Sequence, residues 1–390
     1  MNIEGQLARL RHEKIYFDKT LVFVCVALIV FGYLMVSSAS LHLGVKLTGN
    51  LYHYPVRQLL HIFLGLIVGI CICLIPMSVW ERSGPALFMV GLFLLAIVLI
   101  PGLGIKVNGS VRWLSLMGVR VQVSEVMKLI VVIYMAGFVT RHNNFVQKSV
   151  YGLARPLALL SIACILLLLE PDMGSAIVIL TIAMGVMFLS GARLQQFGFI
   201  VAGIVAVGIL AVKYSDYRSA RVTSFLDPWQ DPFGKSYQLV QALIAFGRGE
   251  LSGVGLGSGV QKMFYLPEAH TDFLFSVIAE EMGLIGVVST IVLFALLVWR
   301  AFVIGEMAEQ LNERFCAFVA YGLGIWFAFQ SFVNIGVNMG ILPTKGLTLP
   351  FMSYGGGSMI VMCSAMAILY RVNSEMLALK ESKGKGAEYD

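Results

Sequence analysis

The sequence predicts an all-α polytopic membrane protein with about ten transmembrane helices and one long extracytoplasmic loop between the seventh and eighth. Of its 390 residues, 58% are hydrophobic and 13% are charged, whereas a soluble domain carries about 25% charged residues. The mean hydropathy is +0.84. The apolar segments are long continuous runs without a two-residue alternation, and helices of about 20 residues satisfy their backbone in lipid.

The elements follow in order along the chain. The candidate spans are 20–40, 58–77, 85–101, 124–140, 155–170, 173–190, 195–213, 283–303, 314–338 and 355–373. The polar residues 1–19 and 374–390 are expected to be cytoplasmic terminal segments on either side of a transmembrane domain at 20–373. The long loop covers about 214–282.

The orientation follows from the basic residues. Lys and Arg are concentrated in the segments on the same side as the N-terminus, which predicts that both termini are cytoplasmic and that the long loop lies outside. The formal net charge is +6, and the basic residues are scattered between spans. This distribution favours contact with anionic lipid headgroups and not with nucleic acid.

An acidic segment stands where the long loop meets the eighth span. Glu268, His270 and Asp272 precede an apolar run. Asp272 could stabilise the N-terminus of the following helix. Alternatively, partial burial could raise the pKa of its carboxyl group and make it a general base.

Two further groups of charged residues have two interpretations each. Glu125 and Lys128 are three residues apart and share a helix face, so they form a structural ion pair or line a charged cavity. Glu170 and Asp172 flank a proline. They form a turn in which Asp172 caps the next helix. Alternatively, they bind a cation or contribute a second carboxylate to the functional site.

The long loop contains the basic residues Arg218 and Arg221, followed by a stretch with six glycines at 247–259. The two arginines could contact lipid headgroups or hold a phosphate by charge-assisted hydrogen bonds. The glycine-rich stretch lacks the strand–turn–helix context of a nucleotide-binding motif. From spacing alone, a transporter and a membrane-embedded transferase are equally compatible with these residues.

Four motifs resemble the SEDS family (shape, elongation, division, sporulation), and the resemblance covers residues 17–373. The motifs are DPWQDPFG at 227–234, AFGRGEL at 245–251, YLPEAHTDF at 265–273, and GILPTKGLTLPFMSYGG at 340–356, preceded by Asn334. The last motif is more similar to the FtsW branch than to RodA. Gly357 departs from the family pattern, which has a small hydroxyl or amide residue at that position.

The resemblance implies that lipid II, a disaccharide-pentapeptide on undecaprenyl pyrophosphate, is polymerised into glycan strands at the outer face of the cytoplasmic membrane, at the division septum. The family's essential aspartate corresponds to Asp272, which we expect to be the general base of an inverting displacement. The residues expected to bind pyrophosphate or sugar are Arg112, Glu125, Lys128, Asp172, Arg218, Arg221, His270 and Lys345.

The expected partners are lipid II and the pyrophosphate-linked glycan, a class B penicillin-binding protein that acts as transpeptidase, other divisome proteins and membrane lipid. The resemblance implies no cofactor, and a divalent cation is compatible with the chemistry. Two other functions compete with polymerisation. A lipid II flippase would need a path across the full membrane, and a non-catalytic divisome scaffold would tolerate replacement of Asp272.

Overall fold

The computed structural model of the protein describes residues 16–107, 110–116, 119–214, 225–343 and 346–386. These residues form a helical bundle with one small sheet. In chain order the elements are α1 (Lys19–Thr48), α2 (His53–Cys73), α3 (Met77–Val98), β1 (Ile105–Val107), β2 (Ser110–Leu116), β3 (Val119–Gln122), α4 (Val123–Arg141), α5 (Asn143–Lys148), α6 (Val150–Leu169), α7 (Met173–Leu189), α8 (Leu194–Lys213), α9 (Tyr237–Gly249), α10 (Leu274–Gln310), α11 (Arg314–Asn338) and α12 (Gly356–Gly386).

The predicted polytopic helical fold is confirmed. Within the described part of the chain, eight helices are long and apolar enough to cross a membrane, namely α1 to α4, α6 and α10 to α12. Two shorter apolar helices, α7 and the first part of α8, coincide with the remaining predicted spans. The count of ten spans therefore stays a prediction. α10 is longer than the predicted span at both ends, and α12 continues beyond residue 373.

A three-stranded antiparallel sheet between α3 and α4 was not predicted from the sequence. The strand order is β1–β2–β3. In β3 the residues alternate between apolar and polar, as on a sheet with two different faces. The backbone of β3 lies against the start of α12, where a Cβ on Gly357 would lie 3.0 Å from the carbonyl oxygen of Arg120. A glycine at this position therefore permits close packing of helix and strand.

The three helices α4, α11 and α12 form the buried centre of the bundle, and smaller shares of the other long helices are buried. The N-terminus of α1 is capped by Asp18, whose Oδ1 accepts hydrogen bonds from the backbone of Thr20 and Leu21. The other carboxylate oxygen of Asp18 pairs with Arg300 on α10. Capping and pairing fix α1 against α10.

α10 breaks at Gly283, which has φ +61° and ψ −155°. The break removes the helical partners of nearby backbone groups, and such groups are costly to bury alone. The loop after α9 replaces them. The N–H of Val254 donates to the carbonyl of Glu280 at 3.0 Å, and the N–H of Gly255 donates to that of Glu281 at 3.1 Å. The glycine-rich loop and the broken helix therefore share one hydrogen-bonded backbone unit.

The carboxylate of Glu280 is buried within the same unit. It accepts hydrogen bonds from the backbone N–H groups of Val260 at 2.9 Å and Gln261 at 3.1 Å. The guanidinium of Arg248 on α9 donates to it at 3.1 Å. The backbone donors of this loop thus bind a carboxylate of the chain itself.

The carboxylate of Glu281 is also buried, and both of its oxygens accept hydrogen bonds. Lys262 Nζ lies 2.6 Å from Glu281 Oε1, and Ser38 of α1 donates to Oε2 at 2.7 Å. The N–H of Gly257 also donates to Oε2, at 3.0 Å. The glycine-rich stretch is therefore a structural clamp on α10, in agreement with its lack of a nucleotide-binding context.

Two glycines of α9 provide a matched test of this clamp. A Cβ on Gly249 would overlap the carbonyl oxygen of Ala279, whereas a Cβ on Gly247 would meet nothing within 4 Å. We expect Gly249→Ala to destabilise the protein by about 2 kcal/mol, because the backbones must separate. Gly247→Ala should be neutral or slightly stabilising, because alanine favours the helix. Thermal unfolding of both variants in detergent measures the difference, and equal melting temperatures would contradict the close approach.

Candidate functional site

Asp272 is held by its backbone against α11. Its carbonyl oxygen accepts hydrogen bonds from the side-chain amides of Asn334 at 2.9 Å and Asn338 at 3.0 Å. The two asparagines are four residues apart and therefore share one face of α11. Asn338 Oδ1 also accepts from the N–H of Ser276 at 3.0 Å. These bonds fix the position of Asp272 while leaving its carboxylate unused.

Residues 346–354, which we call the signature segment, run alongside residues 270–272. Ser353 Oγ donates to the carbonyl of Thr271 at 2.6 Å, and the N–H of Tyr354 donates to that of His270 at 2.9 Å. A Cβ on Gly346 would lie 2.7 Å from Asp272 Oδ2. Glycine at this position therefore makes room for the carboxylate.

The carboxylate of Asp272 does not cap the helix that follows. α10 begins at Leu274, its N-cap is Phe273, and that end has no side-chain capping bond. Among the described residues, none donates a hydrogen bond to the Asp272 carboxylate. Burial raises the pKa of Asp272 to about 7; the negative charges of Glu268 and Asp172 act in the same direction, and Arg112 opposes them. The group thus titrates near neutral pH, as a general base requires.

Arg112 lies on β2 and points to the turn between α6 and α7. Its Nε donates to the carbonyl of Glu170 at 3.1 Å, and its Nη2 donates to that of Pro171 at 2.6 Å. Its Nη1 has no partner among the residues that the structure describes. A guanidinium that is oriented by two carbonyls and keeps a free donor can bind an anion.

Asp172 caps α7, as the capped-turn interpretation predicted. Its Oδ1 accepts from the N–H of Ser175 at 3.1 Å and its Oδ2 accepts from the Ser175 hydroxyl at 2.8 Å. Gln122, at the end of β3, lies 3.4 Å from Oδ2. Gly174, two residues after Asp172, lies against the side chain of Leu347. The turn therefore packs on the signature segment, close to Asp272.

Glu170 is a second buried carboxyl group in this turn. It is 1% exposed, and neither of its carboxylate oxygens has a hydrogen-bond partner in the described residues. Burial raises the pKa of Glu170 to about 8; the charge of Asp172 adds to the shift and Arg112 opposes it. The side chain therefore carries a proton at neutral pH.

Glu125 and Lys128 form the predicted structural ion pair. Lys128 Nζ lies 2.6 Å from Glu125 Oε1 and 2.8 Å from Gln330 Oε1. Lys128 is fully buried, and its ammonium also lies 5.6 Å from the ring centroid of Trp326. Gln330 Nε2 in turn donates to the carbonyl of Thr348 at 3.0 Å. The pair therefore reaches the site through the signature segment.

The sequence-based site residues divide into three groups. Arg112 and Asp172 meet at the turn after α6, which packs on the signature segment beside Asp272, and the charges of both act on the pKa of Asp272. His270 stands beside them, with its ring centroid 5.4 Å from that of Tyr354. Glu125 and Lys128 lie behind the signature segment. The last group lies outside the described residues and comprises Arg218, Arg221 and Lys345. In the described ranges, no group of three or more His, Cys, Asp or Glu side chains is placed to hold a metal ion.

Two positioning residues were missed in the sequence, namely Gln330 and Asn338. Together with Asn334 they recur every four residues on one face of the apolar helix α11. Polar residues within an apolar span are expensive and mark a functional face. This periodicity was the signal that could have found them.

The fold and the site define a polytopic membrane protein with a polar site at one face of the bundle, where the loop before α10 meets α11 and the signature segment. The chain belongs to the family described as "Cell cycle protein" (FTSW_RODA_SPOVE), whose match covers residues 19–377. The resemblance to the SEDS family is thereby confirmed.

Similar curated proteins cover nearly the whole chain. A protein of Methylomonas methanica named "Probable peptidoglycan glycosyltransferase FtsW" is 62% identical over 96% of this chain and 96% of its own length. The protein of the same name from Methylococcus capsulatus is 54% identical over 94% of this chain and 92% of its own length.

Solved structures share the fold. A chain from the structure described as "Structural coordination of polymerization and crosslinking by a peptidoglycan synthase complex" has a TM-score of 0.74 and 28% identity, and the match covers 93% of this chain and 99% of that one. The rod shape determining protein RodA of Thermus thermophilus has a TM-score of 0.68 and 26% identity, and the match covers 92% of this chain and 97% of that one.

The buried ion pair gives a testable prediction. We expect Lys128→Met to destabilise the protein by about 3–5 kcal/mol, because the charge of Glu125 stays buried without its partner. The double variant Lys128→Met, Glu125→Gln should recover much of that loss. Thermal unfolding in detergent compares these two variants and the single variant Glu125→Gln with the wild type. A double variant that is as unstable as the sum of the single variants would contradict the pairing.

Proposed function

We propose that this chain is a peptidoglycan glycosyltransferase that polymerises lipid II into glycan strands during septal cell-wall synthesis. The proposal is supported by membership of the family, by the glycosyltransferase names of relatives up to 62% identical, and by the likeness to a chain of a peptidoglycan synthase complex. At the level of residues, the proposal rests on the state of Asp272. Its backbone is fixed, its carboxylate is half-buried and accepts no hydrogen bond from the described residues, and its pKa is about 7.

The reaction is a single displacement with inversion. Asp272 accepts the proton of the acceptor's 4-hydroxyl group while that oxygen attacks C1 of the donor sugar. The bond from C1 to the pyrophosphate oxygen breaks, and the pyrophosphate leaves with the electron pair. The α-linked donor therefore gives a β-1,4 linkage, and the proton is held on the Asp272 carboxyl group until it passes to solvent.

Arg112 is the residue best placed to stabilise the departing pyrophosphate. Its guanidinium is oriented by the carbonyls of Glu170 and Pro171, and its positive charge reaches Asp272. A fixed cation close to the point where negative charge develops lowers the barrier of the displacement. We include Lys345, Arg218 and Arg221 among the anion-binding residues on the basis of the sequence alone.

The location and the partner belong to the same proposal. The polyprenyl tails of the substrates stay in the bilayer while their sugars lie just outside it, so the site should face the outer leaflet with both chain termini cytoplasmic. The likeness to a chain of a synthase complex that polymerises and crosslinks supports a class B penicillin-binding protein as partner at the division septum. Glu125 and Lys128 then act as positioning residues behind the site.

The role of Asp272 is tested by polymerisation of purified lipid II. We expect Asp272→Asn to lower the turnover rate by about 100-fold or more, because the amide cannot accept the proton. The matched control is Glu306→Gln, a carboxylate-to-amide change at an exposed position of α10, which should leave the rate unchanged. A folded Asp272→Asn variant that polymerises at the wild-type rate would overturn the assignment.

The pH dependence provides a second test. Only the deprotonated carboxylate is a base, so kcat/KM should fall as the pH drops through about 7, the pKa of Asp272. The negative charge of Glu268 contributes to that raised pKa. Glu268→Gln should therefore lower the pKa of Asp272 and move the acid limb of the profile to lower pH. Activity profiles between about pH 5.5 and 8.5 measure the midpoint, and an unshifted acid limb would contradict this coupling.

A further inference from the structure

The proposed reaction uses no side chain of α1, yet this helix contacts the structure around Asp272 at two points. The first point is Gly32, which is buried in the middle of the helix. A Cβ on Gly32 would overlap the Cα of Met352 and would lie 3.0 Å from the carbonyl oxygen of the same residue. The backbone of α1 therefore lies directly against the backbone of the signature segment.

Met352 belongs to a tight turn, residues 349–353, in which two N–H groups donate to the carbonyl of Leu349 at 3.2 and 3.0 Å. Phe351 in this turn has φ +62°. That conformation is strained for a residue with a side chain and persists only where the surrounding packing enforces it. The Phe351 ring is buried, with its centroid 5.5 Å from that of Phe327 on α11. The tight turn is thus enclosed between α1 and α11.

Ser353, the last residue of the tight turn, connects it to the loop before α10. Its Oγ accepts a hydrogen bond from the N–H of Leu349 at 2.8 Å and donates one to the carbonyl of Thr271 at 2.6 Å. Thr271 is the residue next to Asp272 in the chain. A displacement of the turn by α1 therefore reaches Asp272 through one hydrogen bond and one peptide unit.

The second point of contact is Ser38, about 9 Å further along α1 than Gly32 at a rise of 1.5 Å per residue. The Ser38 hydroxyl donates to Glu281 Oε2 at 2.7 Å and accepts from Lys262 Nζ at 2.7 Å. Glu281 lies near the end of the short helical part of α10 that precedes its break. Helix α1 thus contacts the structure at both ends of this part, behind the site.

We propose that α1 is a positioning element for the reaction, in which Gly32 and Ser38 together hold the Asp272 carboxylate in its reactive position. Gly32 sets the distance between α1 and the tight turn, and Ser38 fixes the far end of the helical part. Both residues are buried and act through others. A displacement of about 1 Å from the productive geometry can cost about 100-fold in rate. The inference rests on the proposed function and assigns α1 a role in it.

The contact at Gly32 is tested by polymerisation of lipid II with the full chain. We expect Gly32→Ala to lower kcat by about ten- to hundredfold and to leave KM within about twofold, because the added methyl group displaces the base and not the bound substrate. The matched control is Gly152→Ala in α6, where a Cβ would overlap the carbonyl of Phe145. It also places a methyl group against a backbone, but away from the signature segment, and should keep the wild-type kcat. Equal losses of kcat in both variants would overturn the inference.

A second pair of variants removes atoms from α1 and therefore tests the inference even if Gly32→Ala does not fold. Ser38→Ala should lower kcat by about three- to tenfold, because the hydrogen bond to Glu281 is lost. Ser40→Ala is the matched control. Ser40 is 0% exposed, and its hydroxyl has no hydrogen-bond partner among the described residues, so kcat should not change. A wild-type kcat in Ser38→Ala would contradict the role of α1.

Hydrogen exchange separates failure of this inference from failure of the proposed function, because it does not depend on the reaction. The N–H of Tyr354 donates to the carbonyl of His270 at 2.9 Å, so its exchange rate reports whether the signature segment and the loop stay together. We expect this N–H to exchange about tenfold faster in Gly32→Ala, and an unchanged rate would overturn the inference.

The two measurements together identify which statement fails. If exchange is faster but Gly32→Ala polymerises at the wild-type rate while Asp272→Asn is inactive, α1 does not position the base and only this inference is wrong. If exchange is faster and Asp272→Asn polymerises at the wild-type rate, the assignment of the base is wrong, and the mechanical connection between α1 and the loop stands.

Discussion

The break of α10 at Gly283 is the constraint on which the site depends. Inside an apolar bundle, backbone groups that lose their helical partners must find others, because water is not at hand to replace them. The loop after α9 supplies these partners, and it also binds the carboxylates of Glu280 and Glu281 with backbone N–H groups. The short helical segment before Gly283 is thereby held firmly, and Asp272 stands immediately before it.

The other side of the site is held by polar contacts to the backbone. Asn334 bonds to the carbonyls of both Asp272 and Leu347, at 2.9 and 2.6 Å, so one amide joins the loop before α10 to the signature segment. Gln330 extends the same attachment from the buried Lys128 to Thr348. A buried ion pair is weak evidence for stability, because desolvation of the two charges offsets their attraction. In this chain the pair reaches the carbonyl of Thr348 through Gln330, in the signature segment beside Asp272.

The electrostatics of the site follow from this packing. Asp272 and Glu170 both lose solvation, and their pKa values rise to about 7 and about 8. Asp172 remains a helix cap with its own hydrogen bonds, and Arg112 moderates the shifts of both raised groups. One carboxyl group that titrates near neutrality beside a fixed guanidinium suits proton transfer coupled to the departure of an anion.

The sequence by itself determined that much of the chain is surrounded by lipid, that the fold is helical, and which family the chain belongs to. A backbone in lipid must satisfy its own hydrogen bonds, so long apolar runs indicate helices, and the motifs indicated the family. It also identified Asp272, Arg112 and Asp172. The tertiary structure alone decided how these residues act. It excluded Asp272 as a helix cap, since α10 begins two residues later, and it placed Lys128 in a buried pair and not on an open wall. It also revealed the sheet and the glycine clamp. Local periodicity cannot specify contacts between residues far apart in the chain, such as Asn334 with Asp272 or Arg112 with Glu170, because they exist only after the chain has packed.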